Sequence, residues 1–104
     1  MVRLASRMLA VLGVLLLPGA ATAGSNVSHG MALAYACAAC HGPDGHSQGA
    51  IPSIDQLPPE DVVAALKAFR AGSRKGTVMN RIAKGLDDTE IDAIAAYFAT
   101  SRQH

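Results

Sequence analysis

Cys37-Ala38-Ala39-Cys40-His41 is the most informative segment of this chain, and it contains both of the chain's cysteines. Two thiols three residues apart on one helical turn can each add to one vinyl group of a haem, forming two thioether bonds. The histidine that follows then lies beneath the iron and supplies an axial ligand. The spacing C-x-x-C-H therefore predicts one covalently bound haem c, attached at Cys37 and Cys40 and ligated by His41.

Three other interpretations of the cysteine pair are weaker. A thioredoxin-like redox pair belongs in a strand–helix–strand setting, which the sequence does not suggest. A zinc site needs four ligands, so His46 would have to complete the set, and the adjacent Cys40 and His41 would strain a tetrahedral geometry. A plain disulfide would close a loop too short to restrain much of the unfolded chain, and it leaves His41 without a role.

The residues before the motif predict a helix that runs into it. Three polar residues are candidate N-caps: Ser25, Asn26 and Ser28. Apolar residues then recur at helical spacing, and the predicted buried stripe comprises Met31, Ala34, Tyr35 and Ala38. Met31 is accordingly interpreted as a core residue.

The residues after the motif predict an irregular loop and then a second helix. Residues 42–59 are rich in Gly, Pro, Ser and Asp, which favours a loop, and a loop of this length in a compact domain suggests that it wraps a ligand. The second helix is predicted to begin at Pro58-Pro59 and to end at Gly72. Its expected buried stripe is Val62, Ala65, Leu66 and Phe69.

The last part of the chain predicts a short helical turn over residues 78–84 and a terminal helix. The terminal helix begins with a capping box formed by Asp87 and Glu90. Its predicted buried face comprises Ile91, Ile94, Ala95 and Phe98, with Tyr97 beside them. Because no alternating strand pattern appears, the predicted fold class is all-α.

A second axial ligand must approach the iron from the haem face opposite His41. Met79 lies far along the chain in a turn between Gly76 and Gly85, and we predict that it is this ligand. Four other residues are less suitable because they lie close to His41 in sequence or at the chain terminus: Met31, His29, His46 and His104. A His/Met pair is typical of electron transfer rather than of oxygen or peroxide chemistry.

The second ring nitrogen of His41 requires a hydrogen-bond acceptor. We predict that the backbone carbonyl of Pro52, in the loop after the motif, is this acceptor.

The N-terminal residues predict a secretion signal. Arg3 and Arg7 precede an apolar run over residues 8–17, and an A-x-A cleavage site follows at residues 21–23. The run has about ten residues, whereas a membrane span needs about 20. The predicted organisation is a cleaved signal peptide over residues 1–23 and a periplasmic domain over residues 24–104 with no membrane span; an uncleaved tether is the alternative.

The exported part is nearly neutral and small. Without Arg3 and Arg7, seven basic residues face eight acidic ones, which gives no case for nucleic-acid binding. A domain of this size is marginal without a staple, and a covalent haem would supply one. Five basic residues cluster in sequence around Met79: Arg70, Arg74, Lys75, Arg81 and Lys84. Three interpretations are open: the side chains are merely solvated, they pair with the haem propionates, or they steer an acidic partner towards the haem edge.

The exported part resembles class I cytochrome c. The resemblance rests on C-A-A-C-H-G-P-D-G at residues 37–45, the methionine turn and the ending L-x-D-x-E-I-x-x-I-A-A-Y-F-A at residues 86–99. It implies that the first and last helices cross near Gly30 and Tyr97, and that the chain carries electrons without being an enzyme by itself.

Residues 50–54, 65–74 and 77–85 are similar, more narrowly, to the cytochrome subunit of flavocytochrome c sulfide dehydrogenase, although Asn80 stands where glycine is expected. That resemblance implies a FAD-containing flavoprotein partner that oxidises sulfide, with other redox proteins as acceptors. The alternatives are a free diffusible electron shuttle and a gas-binding or peroxidatic haem protein in which Met79 is displaced.

Overall fold

The structure, a computed structural model, describes residues 13–16 and 22–102. Within these residues the secondary structure is helical and contains no strand, as the sequence predicts. The α-helices are α1 (Thr22–His41), α2 (Pro59–Ala71), α3 (Met79–Lys84) and α4 (Asp88–Ser101), and a 3-10 turn spans Pro43–Gly45. Most of the predicted signal peptide, at residues 1–12 and 17–21, lies outside the described residues, and no described helix is long and apolar enough to cross a membrane.

Helix α1 begins earlier than predicted and buries a different stripe. It starts at Thr22, before the expected N-caps, and continues without an interrupting proline to His41, two residues before Pro43. The prediction that Met31 and Tyr35 are core residues is wrong, because 40% and 67% of their respective surfaces are exposed. The face that packs on the core is shifted by one residue and comprises Gly30, Leu33, Ala34 and Cys37.

The shift follows from the way in which α1 crosses α4. At Gly30 a methyl group would overlap the carbonyl oxygen of Ala93 and lie 3.3 Å from Cβ of Tyr97. The backbones approach so closely because residue 30 has no side chain. The predicted crossing at Gly30 and Tyr97 is therefore confirmed, and this contact turns Met31 towards solvent.

Helix α2 begins and ends as predicted. Pro59 occupies its first turn, and Gly72 ends it in the left-handed conformation, with φ 79°. Val62 and Leu66 are buried, whereas Ala65 and Phe69 are only partly covered.

Helix α4 supplies most of the core. Its capping box is present: the Glu90 backbone N–H donates to Asp87 Oδ1 at 2.8 Å, and the Asp87 N–H donates to Glu90 Oε2 at 2.9 Å. The predicted face is buried, and its three most deeply buried large side chains are Ile91, Ile94 and Phe98. They pack against α1 and α2.

The segment after α1 is more ordered than the predicted irregular loop. It opens with the 3-10 turn, and Gly45 is buried at φ 80°, where a Cβ would meet the Phe98 ring at 2.9 Å. The Gly45 carbonyl accepts hydrogen bonds from the N–H groups of Ile54 and Asp55, at 2.8 and 3.2 Å. These bonds close residues 45–55 into a loop whose base is fixed on α4.

Candidate functional site

The two cysteines lie on the last turns of α1 and are not joined by a disulfide. Cys37 is half-buried against the hydrophobic core, and its thiol donates a weak hydrogen bond to the Leu33 carbonyl, with Sγ 3.6 Å from the oxygen. Burial raises the pKa of the Cys37 thiol. Cys40 is exposed. One sulfur therefore lies at the edge of the core and the other faces outwards.

His41 is oriented by the backbone of the loop. Its Nδ1 lies 2.5 Å from the carbonyl oxygen of Pro52, eleven residues further along the chain. Because a carbonyl can only accept, this contact places the proton on Nδ1 and leaves the lone pair of Nε2 free to bind a metal. The arrangement fits an axial ligand whose second nitrogen is tied to a carbonyl.

The Pro52 carbonyl is itself held by the loop. Next to it, Ser53 Oγ accepts a hydrogen bond from the Ser47 backbone N–H at 2.8 Å. Near the loop base, His46 Nδ1 lies 3.2 Å from Asp55 Oδ2. Residues 46 and 47 are thus joined to residues 55 and 53, just after the residue that contacts His41.

Met79 is the first residue of α3 and packs, partly buried, against the same hydrophobic cluster as Cys37. The segment before it approaches closely, since a Cβ at Gly76 would lie 3.3 Å from Cβ of Met79 and 3.0 Å from the Phe69 ring. Gly76 thus allows the chain to fold back over the end of α2.

The side chain of Asn80 was not expected to have a structural role, yet it makes three hydrogen bonds. Its Nδ2 donates to the carbonyls of Phe69 and Arg74, at 2.8 and 2.7 Å, and its Oδ1 accepts from the Gly76 N–H at 2.8 Å. The only sequence signal was the unusual asparagine at a position where the resemblance predicts glycine.

The rival axial ligands are placed less favourably. Met31 and His29 are exposed on α1, and His46 contacts Asp55. His104 lies outside the described residues. Met79 remains the predicted sixth ligand.

The residues present fit a haem better than a metal ion alone. Within the described part of the chain, no three His, Cys, Asp or Glu side chains converge on a point that could hold a metal, as a zinc site would require. Three large apolar side chains close in sequence to Pro52 and Met79 are about half exposed: Ile51, Val78 and Ile82. An apolar porphyrin held at Cys37 and Cys40 would account for such uncovered surface.

The predicted basic cluster divides into two groups. Arg70 donates to Asp88 Oδ1 at 2.6 Å and to the Leu86 carbonyl at 3.1 Å, so it links α2 to α4. Arg74 lies over the Phe69 ring, with Cζ 4.7 Å from the centroid. These two arginines have contacts within the fold. The three other members of the cluster are exposed to solvent: Lys75, Arg81 and Lys84.

The helical fold and the C-x-x-C-H segment together define a small helical haem protein. The family model for cytochrome c matches residues 27–102. The chain therefore belongs to the cytochrome c family, whose members transfer electrons, and it binds one haem c covalently through its single C-x-x-C-H motif.

Curated relatives support the same family. The chain is 51% identical over 71 residues to the cytochrome subunit of sulfide dehydrogenase from Chlorobaculum tepidum, which covers 68% of this chain and 64% of that protein. It is 39% identical over 71 residues to the thiosulfate dehydrogenase electron acceptor of Stutzerimonas stutzeri, covering 64% of this chain and 33% of that protein. Identity to cytochrome c-554(548) of Halomonas halodenitrificans is 40% over 70 residues, covering 62% of this chain and 82% of the relative. The chain thus spans less than two thirds of the first two relatives.

Proposed function

We propose that this chain is a periplasmic monohaem cytochrome that transfers single electrons, with Cys37 and Cys40 holding the haem and His41 and Met79 as the axial ligands. The observation that carries the proposal is the hydrogen bond between His41 Nδ1 and the Pro52 carbonyl directly after C-x-x-C. It prepares one imidazole nitrogen for iron at the place where the thioethers would fix the porphyrin.

When bound, the haem supplies an iron that takes up and releases one electron. The protein's contribution is to keep the ligands in place in both oxidation states. His41 is held by Pro52, and Met79 is held at the start of α3, so neither side chain needs to move during the transfer. Bound to the iron, the thioether of Met79 would exclude small external ligands and would favour the reduced state relative to a more basic ligand.

The partner is proposed to be the flavoprotein subunit of a sulfide dehydrogenase, which would pass electrons from sulfide to this cytochrome. The support is the similarity to the Chlorobaculum tepidum cytochrome subunit. A free carrier without a dedicated partner is the second candidate, because the Halomonas halodenitrificans cytochrome c-554(548) is matched over most of its length.

The experiment is purification of the chain from its native host under mild conditions. For the sulfide dehydrogenase role, we expect a flavin-containing polypeptide to co-elute and sulfide to reduce the haem in the isolated complex. The same cytochrome purified alone should not be reduced by sulfide at a comparable rate. A monomer that never associates with flavin, and that other redox proteins reduce rapidly, would support the free carrier instead.

The secretion signal and the haem are tested on the same material. Intact mass should equal the polypeptide from residue 24 onwards plus one haem, and the protein should be in the periplasmic fraction. A mass that retains residues 1–23 would favour the membrane tether. A colourless protein with the mass of the bare polypeptide would contradict the haem assignment.

A further inference from the structure

The side chain of Asn80 uses all of its principal hydrogen-bonding groups on the backbone of the segment that precedes Met79. Both Nδ2 hydrogens are donated, to the Phe69 and Arg74 carbonyls, and Oδ1 accepts from the Gly76 N–H. The three distances lie between 2.7 and 2.8 Å, so the geometry is good at each contact. The backbone of a single residue has one N–H donor and one carbonyl acceptor, so it could not make all three of these hydrogen bonds.

The three partners of the Asn80 side chain lie in two parts of the chain that precede α3. Phe69 is in the last turn of α2, whereas Arg74 and Gly76 belong to the connection between α2 and α3. Asn80 lies in the first turn of α3, directly after Met79. The amide therefore ties the start of α3 to the end of α2 and spans the whole connection.

Neighbouring contacts hold the other side of this connection. The Phe69 ring is covered by Arg74 and closely approached by Gly76, and the Arg74 N–H donates to the Ala68 carbonyl at 3.2 Å. Among the described side chains, that of Asn80 makes the hydrogen bonds that join this connection to α3.

We propose that Asn80 is a positioning residue for Met79: its three hydrogen bonds fix the backbone of α3 so that the Met79 sulfur stays on the haem iron. The inference rests on the proposed role of Met79 as axial ligand. The family resemblance leads one to expect glycine at position 80, and glycine has no side chain to form such a tie.

The test compares Asn80→Ala and Asn80→Gly with Ser73→Ala in the haem-loaded protein. Ser73 Oγ donates to the Ala68 carbonyl at 3.3 Å, so Ser73→Ala removes a hydrogen bond from the same connection without affecting α3. The readouts are the near-infrared charge-transfer band of methionine-ligated ferric haem, the reduction potential, and carbon monoxide binding to the ferrous protein. None of these depends on a partner protein.

We expect both Asn80 variants to keep the covalent haem. The population with an open sixth position should rise about tenfold or more, because three hydrogen bonds are lost and each one can change an equilibrium by up to about tenfold. The charge-transfer band should weaken, the potential should fall and carbon monoxide should bind more readily. Ser73→Ala should behave as the wild type. If Asn80→Ala does not fold, Asn80→Gly carries the test, because glycine is the residue that the resemblance expects there.

Met79→Ala, measured in parallel, separates the two proposals. If Met79→Ala abolishes the band but both Asn80 variants retain it with unchanged potential and carbon monoxide binding, the positioning role is wrong and the ligand assignment stands. If Met79→Ala keeps the band, the ligand assignment itself is wrong. Equal effects of Ser73→Ala and Asn80→Ala would show general loosening of the connection and would also overturn the positioning role.

Discussion

His41 illustrates how a single residue is prepared for its chemistry by backbone rather than by another side chain. The Pro52 carbonyl fixes both the tautomer and the direction of the ring, and substitution at position 52 leaves a carbonyl in place. The Met79 side chain, by contrast, is partly buried against the hydrophobic core, and the backbone that carries it is held through its neighbour Asn80. The two proposed axial ligands are therefore held by different means.

At the residue scale, Met79→Ala is expected to retain the haem and to lose the sixth ligand. Without the thioether, water or an added ligand takes the open position, and the reduction potential falls because the soft ligand that favours ferrous iron is gone. Potentiometry and carbon monoxide titration of the ferrous protein measure both effects. Met31→Ala is the matched control, because Met31 is exposed on α1 and should leave both quantities unchanged. An unchanged potential in Met79→Ala would contradict the assignment.

Helix contacts determine which face of each element is buried. The apolar spacing of α1 is compatible with two stripes, and the close approach of Ala93 to Gly30 selects between them. Helix α2 packs on α4 through the hydrophobic core, and charged groups add to this contact. Arg70 forms an ion pair with Asp88, and Lys67 Nζ lies 4.0 Å from Asp88 Oδ2.

At the element scale, Gly30→Val should separate α1 from α4. Its side chain would overlap the Ala93 carbonyl, a backbone atom that cannot rotate away, and such overpacking costs about 3 kcal/mol. Gly49→Val is the control: a Cβ at Gly49 meets nothing within 4 Å, so the change should stay within about 0.5 kcal/mol. Urea unfolding of the two holoproteins gives the comparison. Equal midpoints would mean that the crossing tolerates a side chain.

The ion pair between α2 and α4 predicts a pH effect. The hydrogen bond from Arg70 and the charges of Lys67 and Arg70 lower the pKa of Asp88 in the folded protein. A lowered folded pKa means that the carboxylate stabilises the fold above its unfolded pKa, about 3.9, and that this contribution is lost as pH falls through the folded value. The Asp88→Asn variant should therefore be less stable than the wild type near neutral pH. It should also lose less stability than the wild type when the pH falls below about 4.

Thermal unfolding between pH 2 and 7 measures this difference in stability. The difference should be small because the side chain of Asp88 is exposed. Asp92→Asn, which removes another exposed carboxylate from α4, is the control. Parallel stability curves for Asp88→Asn and the wild type across the acid range would contradict the prediction.

At the scale of the whole molecule, the core formed by the described residues is small. In the described part, the only large side chains with less than 2% exposure are those of Phe98, Ile91 and Ile94, all from α4. A domain with so few deeply buried groups gains little free energy from packing alone. We therefore expect the haem to stabilise the fold as well as to serve as the redox centre.

At this scale, replacing Cys37 and Cys40 together by Ala should yield an unfolded polypeptide. Circular dichroism and limited proteolysis should show loss of helix and rapid cleavage, whereas Cys40→Ala, which keeps one thioether, should retain haem and part of the fold. A double variant that is helical, monomeric and free of haem would show that the polypeptide core suffices.

Sequence reasoning succeeded where a feature depends on neighbours in the chain. The capping box of Asp87 and Glu90 and the left-handed Gly72 follow from residues within one or two turns. The prediction of the buried face of α1 was wrong because that face is determined by contact with α4, which lies more than 50 residues away in sequence. The ties of Asn80 and Arg70 were missed for the same reason, since their partners lie 4 to 18 residues distant and only the fold brings them together.

The crossing of α1 and α4 joins the first described helix to the last. Because α4 lies at the opposite end of the described chain, the core against which Cys37 packs is complete only when the whole domain has folded. The Cys37 thiol is therefore most accessible to haem attachment before folding, whereas Cys40 stays exposed afterwards.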